Sequence, residues 1–134
     1  MIEKAKLRGC YKEIYVGELE TIFRQPHLDS VVYDLTIACD VFVYIGELRY
    51  IFTSIYNKLR PNVGLFAFST ECLEESNNDS KPFVLHKCAR FGHQKSYTEE
   101  IATGTGFVVK HLETSVIRRN KGKDVRGLLV VLTT

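Results

Sequence analysis

The residues best placed to do chemistry lie in YDLTIACDVFVYIG, Tyr33 to Gly46. An apolar run leads to Asp40, and the large residues Val41, Phe42 and Tyr44 follow where a loop should turn polar. A carboxylate at the end of a buried strand can accept a hydrogen bond from an amino group or a backbone amide, and flanking aromatics can wall an aromatic or aliphatic ligand. The same residues allow a plainer arrangement, in which Asp40 caps the following turn and the aromatics are ordinary core.

Other groupings carry less. His86, Cys88 and His93 match no common zinc spacing, and Cys10, Cys39, Cys72 and Cys88 contain no C-x-x-C pair, so no metal site is expected. The GTG of Gly104 to Gly106 follows a predicted helix and precedes a predicted strand. A glycine loop that cradles a nucleotide has the reverse context, so GTG reads as a helix C-cap. RRNKGK, Arg118 to Lys123, is basic but lacks interleaved aromatics and falls at a predicted hairpin tip, which makes it a solvated turn. No G-x-S-x-G nucleophile signature is present.

The elements that must position Asp40 and its neighbours are clear in the centre of the chain. Leu35 to Cys39 is a short continuous apolar strand. Leu48, Ile51, Phe52, Ile55 and Leu59 recur at helical spacing and predict a helix over about Gly46 to Arg60, which Pro61 and Gly64 stop. GLFAFST supplies a second strand, giving a parallel β-α-β unit with a right-handed crossover. On either side the reading is plainer. Met1 to Gly9 is the end of a helix, Lys12 to Leu19 a strand, and Arg24 to Ser30 a turn around Pro26. Glu71 to Pro82 is an acidic loop and Phe83 to His93 an irregular extended segment. Ser96 and Glu99 form an S-x-x-E capping box for a helix over Tyr97 to Gly104. GFVVKHLETSVIRR and VRGLLVVLTT are two closing strands in an antiparallel hairpin around NKGKD.

The totals set the compartment and class. A chain of 134 residues, 45% hydrophobic, is the size of one domain with a real core. Its 18 basic and 16 acidic residues leave a net charge of +2, too balanced to point to nucleic acid. Four scattered cysteines fit a reducing, cytoplasmic compartment, and no apolar run is long enough to predict a membrane span.

YDLTIACDVFVYIGEL, LRPNVGLFAFSTE, RFGHQKSY and GLLVVL, in this order, resemble the C-terminal part of class I S-adenosylmethionine-dependent methyltransferases, specifically the branch often attached to tetratricopeptide repeats. The resemblance implies an α/β fold, the C-terminal part of a Rossmann-like sheet over residues 1–134, and S-adenosyl-L-methionine as cofactor. It implies that Glu18 lies near the adenine amino group and Leu19 packs on the base. Asp40 and Val41 would border the methyl-donating end, and Phe42, Tyr44 and His93 would face the methyl acceptor. It names neither a catalytic residue nor the acceptor.

The glycine-rich cofactor loop, the ribose-binding acidic residue and the two strands that carry them have no counterpart in the chain. Two classes of function follow. One is a methyltransferase domain that holds its cofactor weakly or not at all when isolated. The other is a non-catalytic interaction module derived from a truncated methyltransferase. The strand Leu35 to Cys39 is without charge and would lack a neighbour on one side, so an open sheet edge and a homodimer across it are expected.

Overall fold

The computed structural model describes residues 2–73 and 81–134, in two compact units, residues 2–30 and Val31–Thr134. Most of the predicted acidic loop, residues 74–80, lies outside the described residues.

The first unit is small. Helix α1 (Ile2–Leu7) ends as expected at Gly9, whose φ of 63° suits a residue without a Cβ. Lys12 to Leu19, expected as a strand, does not form one, because β-formers make a strand only where a neighbour accepts their ladder. Helix α2 (Leu19–Phe23) begins at the end of that stretch, and a short 3-10 turn spans Pro26–Leu28.

The second unit is a mixed sheet with helices. Strand β1 (Leu35–Ala38) leads through the Asp40 loop to α3 (Arg49–Lys58), then β2 (Leu65–Cys72). Two three-residue strands follow, β3 (Phe83–Leu85) and β4 (Phe91–His93), then α4 (Lys95–Thr105), β5 (Val108–Asn120) and β6 (Lys123–Thr133). The β-α-β prediction holds: β1 and β2 pair in parallel, Leu35 to Ala38 opposite Leu65 to Phe68. The closing hairpin holds too, with β6 antiparallel between β2 and β5.

Strand β2 outruns β1. Its far end pairs in parallel with β4, Glu71 opposite Gly92 and Cys72 opposite His93. Thus β1 and β4 share one edge of β2, end to end, and between their ladders Ser69 and Thr70 have no strand partner on that side among the described residues.

The capping box does not form. Helix α4 starts earlier than predicted, with Gln94 at its N-cap and no side-chain cap, so Ser96 and Glu99 already lie inside the helix. Its C-cap is Gly106, the second glycine of GTG, left-handed at φ 108°.

One face of the sheet carries the core. Phe66, Phe68 and Thr70 of β2 point the same way as Leu132, Val130 and Leu128 of β6, and all six are buried. Phe52 of α3 meets Phe42, Phe66, Phe68 and Phe107 at ring-centroid distances of 5.3 to 6.2 Å, mostly edge to face. The other face is open: Leu35 and Ile37 of β1 are 49% and 63% exposed, and Leu65 and Leu129 are exposed beside them.

Candidate functional site

The Asp40 loop sits at the carboxyl ends of β1 and β2, the place where open α/β sheets hold ligands. Asp40 has a φ of 57°, a left-handed conformation that aspartate tolerates better than most residues and that turns the chain sharply off β1. Its amide donates to Ser69 Oγ at 3.3 Å, in the gap between the two ladders. Asp40 is not a helix cap: the 3-10 turn Phe42–Tyr44 has Val41 at its N-cap and no side-chain cap. Its carboxylate instead accepts from Arg90 Nη1 at 2.7 Å.

That short turn separates the aromatics. Phe42 is 1% exposed, in the core between Phe52, Phe66 and Phe68. Tyr44 is 59% exposed. Its hydroxyl accepts from Arg90 Nη2 at 3.0 Å, and the guanidinium carbon lies 5.2 Å from the ring centroid. Val41 is half-buried between them.

Arg90 comes from the turn between β3 and β4, fifty residues from Asp40. The Asp40 hydrogen bond is the main reason its pKa is raised, and burial opposes it. Arg90 also lies 3.7 Å from Glu71 Oε1. Glu71, at the end of β2, is buried, and the same oxygen accepts from Arg118 Nε at 3.0 Å and Nη2 at 2.6 Å. An alternating chain of charges, Asp40, Arg90, Glu71, Arg118, therefore crosses the loop, β2 and β5.

His93 is fully buried at the end of β4. Nε2 lies 3.0 Å from the Gly46 carbonyl, which can only accept, so Nε2 carries the proton. Nδ1 then accepts from Thr70 Oγ1 at 2.7 Å. Burial lowers the pKa of His93, in keeping with a neutral ring. Tyr97 stacks at 11° to the imidazole, donates to Glu47 Oε1 at 3.2 Å and accepts from the Leu48 amide at 3.0 Å. Burial is the main cause that pushes its pKa up to about 12. The loop leans on the hairpin closely: a Cβ on Gly46 would stand 2.7 Å from the Phe83 ring and 2.9 Å from that of Phe91.

The structure thus brings Asp40, Val41, Tyr44 and His93 to one loop and its support, with Phe42 beneath as core. His86 and Cys88 belong to the β3–β4 turn, and among the described residues no three metal-ligating side chains converge. Glu18 and Leu19 lie in the first unit, at the start of α2, Glu18 exposed and Leu19 half-buried. Sequence reasoning missed Arg90, Glu71 and Arg118, whose hydrogen-bond partners are 46 to 50 residues away. A concavity of about 410 Å³ on the open face, lined by Cys39, Ala67, Ser69, Leu129 and Val131, borders the loop at Cys39 and Ser69. Among the described residues no helix is long and apolar enough to cross a membrane.

No family model matches the chain, and no curated protein matches it. Solved structures do. Over 98% of its length the chain is similar, with a TM-score of 0.63, to 74% of a putative S-adenosylmethionine-dependent methyltransferase from Listeria monocytogenes, at 14% identity. A methyltransferase of the same cofactor class from Clostridium acetobutylicum gives 0.62 over 98% of this chain and 68% of that one, at 13% identity. The cyclase SpnF gives 0.69 over 98% of this chain and 59% of its own, at 12% identity. The chain therefore spans 59% to 74% of the length of these structures. Its parallel β1–β2 pair, helices and closing antiparallel hairpin are the C-terminal, Rossmann-like part of a class I methyltransferase fold.

Proposed function

We propose that residues 1–134 form the acceptor-side part of an S-adenosylmethionine-dependent methyltransferase, of the branch attached to tetratricopeptide repeats, without the first two strands and the glycine-rich loop. The observation that carries this reading is the Asp40 loop, placed at the carboxyl ends of two parallel strands and held by a network of fixed side chains. In the first unit Glu18 and Leu19 are the residues that the resemblance gives to the adenine, and in the second Asp40 and Val41 are those it gives to the methyl-donating end of S-adenosyl-L-methionine. Tyr44 faces the acceptor. Phe42 and His93 act on that side from beneath, by fixing the loop. The scattered cysteines support a reducing, cytoplasmic setting.

The chemistry this part can supply is positioning. Methyl transfer needs donor and acceptor in line at near-attack distance, and effective molarities of about 10⁵ M or more come from such positioning. Half a cradle gives little of it. Titration of the purified chain with S-adenosyl-L-methionine, followed by calorimetry and amide NMR, is expected to give a dissociation constant weaker than about 100 μM. Shifts should be confined to residues near Glu18, Leu19, Asp40 and Val41. A low-micromolar constant would reject the incomplete cradle, and no shift at millimolar ligand would reject the methyltransferase reading.

The open edge of β1 favours a second reading, an interaction module. The sheet's two long-hairpin and parallel edges are treated differently. Strand β5 has register shifts at Val109/His111 and Val116/Arg118 and carries Lys110, Glu113, Arg118 and Arg119, all of which discourage pairing. Strand β1, LTIA, has no charge, no bulge and no strand partner away from β2 among the described residues. A second copy pairing β1 against β1 gives a closed, symmetric dimer. Light scattering after size exclusion should show the mass falling toward the monomer on dilution. A single monomer peak that persists at high concentration rejects the homodimer.

A further inference from the structure

We propose that Arg90 and Tyr44 form a receptor for a carboxylate group on the molecule bound at the Asp40 loop, and that Asp40 occupies this receptor in the free protein. The inference rests on the acceptor-side reading and adds a substrate class to it: an acceptor that bears a carboxylate near the methylated atom.

The geometry has three parts. Arg90 presents two nitrogens in one fork, Nη1 to Asp40 at 2.7 Å and Nη2 to the Tyr44 hydroxyl oxygen at 3.0 Å. Because that oxygen accepts, the Tyr44 hydroxyl proton is left to donate, and among the described residues no acceptor faces it. Arg90 N–H and Tyr44 O–H are then neighbouring donors that suit the two oxygens of a carboxylate.

Second, the charges are unequal in depth. Glu71 is 7% exposed at its side chain and already takes both hydrogen bonds of Arg118 on one oxygen, so its 3.7 Å approach to Arg90 neutralises little more. The counter-ion of Arg90 is therefore Asp40. The Arg90 side chain is 21% exposed and that of Asp40 62%, so a half-buried cation is matched by a solvated anion. Such a partner contributes weakly and can be exchanged.

Third, the receptor is held without its ligand. Arg90 leaves a turn fixed by the His86 amide donating to the Arg90 carbonyl at 2.8 Å, and β4 next to it is anchored through His93. A ligand carboxylate would replace Asp40 on Nη1 and accept a hydrogen bond from the Tyr44 hydroxyl, with no covalent bond made or broken. Asp40, released, would be free to accept from the cofactor or from solvent.

The test uses the intact chain, with benzoate as probe, benzamide as its neutral match and inorganic phosphate as the other oxyanion. The readout is the Arg90 Nε resonance. Benzoate should shift it saturably, with benzamide without effect and phosphate at least about threefold weaker. Asp40→Asn removes the charge of the internal competitor, leaving a weaker neutral acceptor, and should tighten benzoate about threefold or more, while weakening any S-adenosyl-L-methionine binding. Arg90→Lys keeps the charge but loses the fork, and should weaken benzoate about threefold or more. Tyr44→Phe should weaken it as well. Benzoate no better than benzamide or phosphate, or unchanged or weaker in Asp40→Asn, overturns the receptor. Cofactor titration alone does not decide it, so the two proposals fail separately.

Discussion

Replacing His93 by alanine is expected to cost about 3–5 kcal/mol of stability, read from urea unfolding of the whole chain. The imidazole fills a space between Phe83 and Tyr97, and its removal also leaves the Gly46 carbonyl and the Thr70 hydroxyl without their partner. The same burial gives a pH dependence with a fixed sign. Folded His93 has a pKa below the ordinary 6.5, so above about pH 6.5 the ring is neutral in both states and its contribution is complete. As pH falls below that value the unfolded chain takes up the proton first. Stability then drops, by up to about 1.4 kcal/mol per pH unit, until the folded ring also titrates. His93→Gln should be destabilised yet lose this slope between pH 7.5 and 5.5. Equal slopes in the two proteins would place the titration elsewhere.

The second large effect separates two neighbours. Phe42→Ala should lose about 3–5 kcal/mol, since the ring is enclosed by Phe52, Phe66 and Phe68 and a cavity would remain. Tyr44→Ala, two residues on, should change stability by about 0.5 kcal/mol or less, because the ring is mostly in solvent. Thermal and urea unfolding of both variants decide it. The aromatic loop then answers its own puzzle: one ring is core and the other lies at the surface beside Arg90. Comparable losses would mean that Tyr44 too is structural.

These differences were readable in the sequence only in part. The β1–α3–β2 unit shows because its apolar residues repeat at spacings of one and of three or four, and a local period survives any tertiary arrangement. The hairpin β5–β6 shows because two long β-rich runs flank a polar turn. Lys12 to Leu19 misleads, since propensity without a neighbouring strand decides nothing. The Ser96 box misleads because the helix begins two residues earlier, at Lys95, and β3 and β4, at three residues each, are too short to carry a period. Asp40 was legible as the residue that follows β1 and opens the loop, but its partner was not. Nothing local in RFGHQKSY or CDVFVYIG says that Arg90 and Asp40 meet.

The shared edge of β2 has a mechanical meaning. Between the β1 ladder, which ends at Phe68, and the β4 ladder, which begins at Glu71, one side of the strand is unlaced among the described residues for two residues, roughly 7 Å of chain. The other side keeps its ladder to β6, Ser69 opposite Leu129 and Thr70 opposite Leu128, so Ser69 and Thr70 mark a line where side chains replace one ladder. The hairpin β3–β4 hangs beyond that line, while Arg90 and His93 tether it to the Asp40 loop. Hairpin and loop are thus joined by side chains where the ladder is missing, with Tyr44 at the junction and Phe42 holding the loop to the core.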